Sequence, residues 1–216
     1  MTKELNIHEF QMLDDMNLED VCDILEQSTA KHSIDCRNWK NEYPYHPVTI
    51  FAIAHSRKYI YVDFFVRGNF LRAINYTNNS PVSEDSCVEF FLQVPGQKEY
   101  WNFEFNCIGT VNASHRETRE HPIRLTDEQI NLIKVYPSCG TRPFEEMEGL
   151  FAWNLTIAIP FSLIGLDADN LPDYIMGNFY KCGSKTGLPH YLSWSPIKSE
   201  KPNFHCPESF GKLYFR

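Results

Sequence analysis

The sequence predicts an all-β protein, an antiparallel β-sandwich with a short N-terminal helix and minor helical turns. Many short runs of β-branched and aromatic residues alternate with polar residues at a period of two, which is the pattern of half-buried strands. Turn-forming Asn, Gly and Pro residues separate these runs, as in NYTNNSP at 75–81 and VPGQKE at 94–99. Few stretches show the helical period, and this balance favours packed sheets in a sandwich or barrel.

The N-terminal segment carries the clearest helical pattern. Asn17 is a suitable N-cap residue, and apolar side chains follow it at helical spacing. These side chains are Leu18, Val21, Cys22 and Leu25. We therefore predict a helical extension over residues 1–30 and a β-sandwich domain over residues 31–216.

The remaining elements are read mainly as strands. Predicted strands lie at 47–55, 59–66, 70–76, 86–94, 99–108, 150–159, 174–182, 190–195 and 211–215. A short helix is predicted after Thr126, because TDEQ places Gln129 where a capping box needs it. A further helical turn is predicted after Pro160 in IPFSLIG.

Length and composition limit the classes of partner. The chain has 216 residues, 43% hydrophobic and 22% charged, which is enough to build the core of one large β domain. The net charge of -8 argues against nucleic acid and anionic membranes as partners, since both attract basic surfaces. No apolar run approaches the roughly 20 residues of a membrane span. Composition gives no indication of the oligomeric state.

The cysteines and the N-terminus predict a cytoplasmic location. Seven cysteines are present, an odd number in a chain of this size, which favours reduced thiols. The first 20 residues contain no apolar stretch typical of a secretory signal. No two cysteines form a CxxC pair, so local spacing predicts no zinc site and leaves metal ligands unassigned.

The strand EYWNFEFNC at 99–107 carries the most informative pattern. Its alternation puts apolar residues on one face and Glu104 and Asn106 on the other. If strand 86–94 forms a hairpin with it, Glu89 shares that polar face, and Arg72 extends it from the preceding strand. Carboxylates, amides and rings together are what a carbohydrate ligand requires. The alternative is the ordinary solvated face of an antiparallel sheet.

Two further positions are candidates. Lys181 follows an apolar NFY and could pair with Glu89 or Glu104, or could be a solvated edge lysine. Phe204 lies with His205 on a Pro-bounded loop, and loops often carry function. The alternating apolar context of Trp101 and Trp153 predicts that both rings pack in the core.

Six segments in order resemble a known family. They are SEDSCVEFF (83–91), YWNFEFNCIGT (100–110), WNLTIAIP (153–160), GNFYKCG (177–183), LSWSPI (192–197) and HCPESFGKLYF (205–215). Together they resemble the family 9 carbohydrate-binding modules, in their free-standing "family 9-like" branch. The resemblance implies a non-catalytic β-sandwich that binds a saccharide, often with structural calcium and often outside the cell.

The resemblance assigns particular residues and also shows departures. It implies ligand contacts for Glu89 and Asn106, and a structural role away from the ligand for Trp194. The two Trp residues that clamp the sugar in this family fall on Ser83 and Phe204, and the family's Arg on the NFEFN strand falls on Glu104. The sequence therefore predicts a carbohydrate site without the two-tryptophan clamp.

Two alternatives remain from other functional classes. Glu89 and Glu104 on neighbouring strands could be the carboxylate pair of a glycoside hydrolase. The loss of both clamp tryptophans instead favours a protein-interaction domain that keeps the fold without the sugar. A concave groove on the polar sheet face would favour carbohydrate, and a flat face would favour a protein partner.

Overall fold

The computed structural model describes residues 3–216. The first seven strands along the chain are β1 (Glu4–Glu9), β2 (His32–Ser33), β3 (Val48–His55), β4 (Tyr59–Ala73), β5 (Cys87–Gln93), β6 (Tyr100–Asn106) and β7 (Val111–Arg116). The later strands are β8 (Ile123–Arg124), β9 (Lys134–Pro137), β10 (Phe144–Pro160), β11 (Tyr174–Cys182), β12 (Tyr191–Ser193) and β13 (Gly211–Phe215). The helices are α1 (Leu18–Ser28), α2 (Asp127–Ile130) and α3 (Phe161–Ile164), with short 3-10 turns at Gln11–Asp15, Val82–Glu84 and Pro207–Ser209.

The strands form two packed layers. The front sheet has the order β8-β7-β6-β5-β11-β13, with β12 on β11, and the back sheet has the order β3-β4-β10-β9, with β2 on β3. Strand β1 joins the two, because it pairs in parallel with β13 and with β3. The other ladders are antiparallel, so the predicted β-sandwich is confirmed.

The N-terminal segment contains more than the predicted helix. Helix α1 begins where expected, and the Asn17 side chain accepts a hydrogen bond from the Asp20 backbone N–H at 3.0 Å. The residues before it form β1, which buries Leu5 and Ile7 in the core. This strand closes the front sheet against the back sheet, so part of the predicted extension belongs to the sandwich itself.

Alternating side chains of both sheets fill the space between the layers. Phe90 of β5 stacks on Phe179 of β11 at 4.5 Å between ring centroids, and Phe179 stacks on Phe51 of β3 at 3.7 Å. Trp153 and Trp194 are buried, as predicted. Trp101 is only partly buried and packs at the margin of this core.

The short helices lie where the sequence places them. The Thr126 hydroxyl accepts from the Gln129 N–H at 3.3 Å, and the Gln129 side chain accepts from the Thr126 N–H at 2.9 Å, which completes the capping box. Helix α3 follows Pro160 and ends at Gly165, whose φ of 73° is the left-handed conformation that glycine accommodates. No helix within residues 3–216 is both long and apolar enough to cross a membrane.

Candidate functional site

The outward face of the front sheet is buried instead of solvated. Glu89 of β5 lies directly opposite Glu104 of β6 and also opposite Tyr180 of β11, so all three project from one face. Only 3% of Glu89 and 8% of Glu104 is accessible to solvent. The ordinary solvated face that alternation alone would suggest is therefore wrong here, because other parts of the chain cover it.

The covering segments form a second hydrophobic cluster over this face. Trp39 and the chain from residue 197 to 210 pack on the outward rings of β5, β6 and β11. Trp39 is anchored by its indole N–H, which donates to the Ser199 carbonyl at 2.9 Å. Phe204 stacks on Tyr180 with ring centroids 4.2 Å apart. The cover thus fixes an aromatic wall beside the two glutamates.

A pocket of about 270 Å³ opens between the cover and the sheet. Its lining combines carboxyl groups, hydroxyls, amides and rings. The lining residues are Ser83, Glu89, Glu104, Arg119, Cys182, Ser184, Tyr191, Pro202, Asn203, Phe204 and His205. The pocket therefore brings together both glutamates and both positions that the family resemblance assigns to the sugar clamp.

Glu89 has unusual partners for a buried carboxyl group. Its Oε1 accepts from the Cys182 thiol at 3.0 Å and from the Cys87 thiol at 3.9 Å. Within residues 3–216 no hydrogen bond reaches its Oε2, which leaves that oxygen available to a ligand. Burial, followed by the neighbouring Cys182 and Glu104, raises the pKa of Glu89 well above its ordinary value.

Glu104 is held more firmly than Glu89. Its Oε1 accepts from the Asn102 amide at 3.0 Å, and its Oε2 accepts from the Asn112 amide at 2.9 Å. Burial raises the pKa of Glu104, and the hydrogen bond from Asn112 and the charge of Arg116 oppose that rise. A raised pKa on both glutamates favours a retained proton, so the pair can donate as well as accept hydrogen bonds to hydroxyl groups.

The pocket rim adds residues that the sequence analysis did not assign. The His205 ring lies 3.0 Å from the Tyr100 hydroxyl through Nδ1. Burial and the charges of Arg116 and Arg119 lower the pKa of His205 to about 3, so this ring is neutral near pH 7. Tyr191 contacts Phe204 edge to face, with centroids 6.1 Å apart.

The other predicted site residues lie outside the pocket lining. Asn106 is fully buried, donates to the Asn75 carbonyl at 2.6 Å and to Asp85 at 3.0 Å, and accepts from the Thr110 N–H at 3.0 Å. All of its polar atoms are thus used within the protein. Its outward position was predicted, and its side chain closes a turn beside the pocket.

Arg72 does not extend the polar face. It lies on β4, which belongs to the back sheet and pairs with β3 and β10. The sequence analysis split this long strand at residue 66 and assigned its second part to the wrong sheet. The Arg72 guanidinium instead lies 3.3 Å from the buried carboxylate of Asp85, where the two sheets meet.

Lys181 occupies the opposite face of β11 from Glu89. Its ammonium donates to the Cys182 carbonyl at 2.7 Å and lies 3.0 Å from His190 Nε2. The predicted pairing with Glu89 or Glu104 is wrong, because side chains alternate along the strand and the aligned neighbour of Glu89 is Tyr180. The alternative of a solvated edge lysine is also wrong, since the side chain is buried.

Two groups of side chains within residues 3–216 could hold a metal ion. They are Cys87, Glu89 and Cys182 in the front sheet, and Asp63 of the back sheet with Cys22 and Glu26 of the helix α1 that covers it. Calcium, which the family resemblance implies, takes six to eight oxygen ligands. Each group contains at least one thiol, so neither suits calcium.

The architecture defines a class of protein before any comparison: a β-sandwich that presents a small polar pocket on an outward sheet face. A sequence model of carbohydrate-binding family 9 matches residues 19–215. Since this match spans most of the chain, the protein belongs to carbohydrate-binding family 9, a family of non-catalytic binding modules.

Solved structures agree with this assignment. A protein from Bacteroides uniformis ATCC 8492, to which carbohydrate binding is ascribed, is 36% identical, with a TM-score of 0.93 and 100% of both chains covered. A family 9 module from Caldicellulosiruptor kristjanssonii in complex with glucose has a TM-score of 0.56 at 12% identity, covering 99% of this chain and 96% of the other. The module from that organism with cellotriose gives 0.54, also at 12% identity, with 99% and 94% covered. These two share the fold. No curated protein matches the chain.

Proposed function

We propose that this protein binds a saccharide of one or two sugar rings in the pocket beneath Phe204. The observation that carries the proposal is the meeting of Glu89, Glu104, Ser83 and Phe204 in one cavity. Glu89 and Glu104 lie side by side on the sheet, and Ser83 and Phe204 occupy the positions at which the family resemblance implies the two clamp tryptophans. A volume of about 270 Å³ is slightly below the about 300–1,000 Å³ typical of drug-sized ligands, which suits a mono- or disaccharide unit.

The pocket offers both kinds of contact that a sugar ring uses. Hydroxyl groups can bond to the free Oε2 of Glu89 and to the edge of Glu104. The C–H face of the ring can lie against Phe204 and Tyr191. Phe204 is 9% exposed, so it supplies less stacking area than an open tryptophan would, and affinity should be in the millimolar range that weak sites show.

A glycan array followed by titration calorimetry tests the proposal. We expect the protein to bind a subset of the saccharides on the array. Calorimetry then measures the affinity for free ligands, beginning with glucose and cellotriose. Competition between an array-positive sugar and cellotriose would show that both use one site. Failure of every sugar to bind would overturn the proposal and favour the protein-interaction alternative.

We also infer that the glutamate pair of this chain does not hydrolyse glycosides. The support is the non-catalytic character of the family and the fixed hydrogen bonds of Glu104, whose two oxygens are held by Asn102 and Asn112. Aryl glycosides with a good leaving group should release no phenol above background. Turnover that disappears in both Glu89→Gln and Glu104→Gln would overturn this inference, because a glycosidase needs each carboxyl group separately.

A reducing compartment, such as the cytoplasm, is the proposed location. It is supported by the odd number of cysteines, all seven of which are unpaired. Thiol counting in denaturant with a chelator and without reductant should find seven free thiols per chain. A deficit accompanied by disulfide-linked peptides in a digest would contradict this location.

A further inference from the structure

We propose that Cys87, Glu89 and Cys182 bind one thiophilic divalent cation of the zinc type, with the fourth coordination position open to the pocket. This site goes beyond saccharide binding and does not depend on it. Cys87 begins β5 and Cys182 ends β11, and the two are aligned as direct cross-strand neighbours. Glu89 lies two residues along β5, on the same face.

The donor atoms are already close to a coordination geometry. The Cys182 Sγ lies 3.0 Å and the Cys87 Sγ 3.9 Å from Oε1 of Glu89, and all three donors lie within 4.8 Å of one another. A tetrahedral zinc ion with Zn–S near 2.3 Å and Zn–O near 2.1 Å needs S···S separations of about 3.8 Å and S···O separations of about 3.6 Å. Small side-chain movements therefore suffice to receive the ion.

The donor set selects the type of ion. Two thiolates and one carboxylate suit zinc or its thiophilic neighbours, whereas calcium and magnesium prefer oxygen alone. On binding, both thiol protons and the proton that the Glu89 carboxyl group holds leave to solvent, and the metal–sulfur bonds replace the two S–H···O hydrogen bonds to Glu89. The resulting centre, with two thiolates, one carboxylate and a dication, carries a net charge of -1.

The surroundings supply the opposite charge. Lys181 is buried beside the site, and its ammonium donates to the Cys182 carbonyl at 2.7 Å. Among residues 3–216 no carboxylate lies within 4.0 Å of that ammonium. A buried cation without a counter-ion is costly, and the anionic metal centre on the other face of β11 would offset it.

The location gives the centre an open side. Cys182 and Glu89 line the pocket, whereas Cys87 is fully buried behind them. Three protein ligands on one side of an accessible cavity leave one position for water or a ligand hydroxyl, an arrangement typical of zinc sites that exchange their fourth ligand. The back-sheet group differs, because Thr156 and Asn154 already donate to Asp63 there.

Metal titration of the full chain tests the site. After chelator treatment and dialysis, Zn²⁺ should bind with 1:1 stoichiometry in competition with a chromogenic chelator. Co²⁺ should bind at the same site with thiolate-to-cobalt charge-transfer absorption and the visible bands of tetrahedral cobalt. Absence of 1:1 binding, or cobalt spectra without thiolate bands, would overturn the proposal.

Serine variants assign the ligands. Cys87→Ser and Cys182→Ser should each abolish the thiolate bands or weaken them by about half, and Cys36→Ser and Cys22→Ser should leave them unchanged. Circular dichroism of each variant checks folding, and Glu89→Gln, which keeps both thiols, provides a second route if a serine variant unfolds. Loss of the bands in Cys22→Ser, or their persistence in both Cys87→Ser and Cys182→Ser, would overturn the assignment.

The two proposals can fail separately. Calorimetry with the array-positive sugar on metal-free protein reports only the saccharide site. Zinc binding without sugar binding overturns the proposed function and leaves the metal site in place. Sugar binding without zinc binding overturns the metal site and leaves the proposed function in place.

Discussion

Each sheet of the sandwich buries carboxyl groups on its outward face, and Asp63 of the back sheet and Glu89 of the front sheet differ in what surrounds them. Asp63 of β4 in the back sheet lies under α1 and accepts hydrogen bonds from the Thr156 hydroxyl at 2.9 Å and the Asn154 amide at 3.4 Å. Among residues 3–216, Glu89 of β5 in the front sheet accepts hydrogen bonds only from two thiols, which are weak donors. Burial raises the pKa of both carboxyl groups.

The difference separates a structural carboxylate from one suited to a ligand. Strong donors from neighbouring strands satisfy Asp63, so a ligand would have to displace hydrogen bonds of the fold. Both carboxyl groups line a cavity, of about 240 Å³ at Asp63 and about 270 Å³ at Glu89, but of the two only Glu89 keeps one oxygen without a partner among residues 3–216. A buried carboxyl group that has only weak donors lowers the stability of the fold. Such groups are typical of sites that contact a ligand.

The largest expected effect is the pH dependence of stability at Asp63. Burial raises the pKa of Asp63 from 3.8 to about 6, with Glu26 adding repulsion, so the folded state holds a proton more tightly than the unfolded state. The stabilisation is complete below about pH 4 and is lost as pH rises through about 6, in total about 3 kcal/mol. Urea denaturation of wild type and Asp63→Asn at a series of pH values should show a smaller loss of stability between about pH 4 and 6 in the variant, where the remaining slope comes from other groups such as Glu89. Equal slopes would mean that other groups cause the pH dependence.

Asn106 should behave as a structural residue despite its place in the family pattern. Asn106→Ala removes hydrogen bonds to the Asn75 carbonyl, to Asp85 and from the Thr110 N–H, so the free energy of unfolding should fall by about 2–3 kcal/mol. The exposed Asn131→Ala is the matched control and should change it by less than about 0.5 kcal/mol. If purified Asn106→Ala is stable and loses saccharide affinity, Asn106 contacts the ligand after all.

Glu89, in contrast to Asn106, should matter for saccharide binding and little for the free energy of unfolding. Glu89→Gln should weaken saccharide binding about five- to hundred-fold, because the amide NH2 cannot reproduce the hydrogen bonds of the carboxyl group and a buried polar group left unsatisfied costs about 1–3 kcal/mol. The free energy of unfolding should change little, since within the described part of the chain the donors to Glu89 are two thiols. Calorimetry and urea denaturation measure the two quantities, and Glu145→Gln on the exposed part of β10 is the control. A large loss of stability with unchanged saccharide affinity would mean that Glu89, like Asp63, has a structural role.

The sequence predicted the local features well because their causes are local. Alternation along β5 and β6 correctly separated the core-facing Phe90 and Phe103 from the outward Glu89 and Glu104. The N-cap at Asn17 and the capping box at Thr126 were readable because each depends on residues three apart.

Features that depend on distant parts of the chain were missed. Nothing in the period-two pattern shows that Arg72 continues β4 into the back sheet, because a strand carries no mark of the sheet that it joins. Likewise the spacing of Cys87 and Cys182 is far outside any metal-binding motif, and only the pairing of β5 with β11 makes them neighbours. The cover that turns a polar face into a pocket also comes from a loop far along the chain.

The smallest expected effect comes from restoring one ring of the family clamp. Ser83 lines the pocket and is only partly buried, and within residues 3–216 it is the backbone carbonyl of this residue that accepts hydrogen bonds, from Ser184 and Cys182. Its side chain can therefore be replaced without breaking those bonds. Ser83→Trp adds a ring beside the pocket, and one aromatic contact contributes about 0.5–1.5 kcal/mol, so saccharide affinity should rise roughly two- to ten-fold. Leu150→Trp, an exposed ring on β10, controls for non-specific stacking.

The result would also show how the pocket holds its ligand. If Ser83→Trp binds more tightly by calorimetry while Leu150→Trp does not, a sugar ring must pass between residue 83 and Phe204, as the family clamp implies. An unchanged affinity would mean that the ligand lies against Glu89 and Tyr191 alone. A lost affinity would mean that the indole fills the space of about 270 Å³ that the sugar needs. The native serine would then be the residue that keeps the pocket open, and the absence of the clamp would be a feature of its specificity.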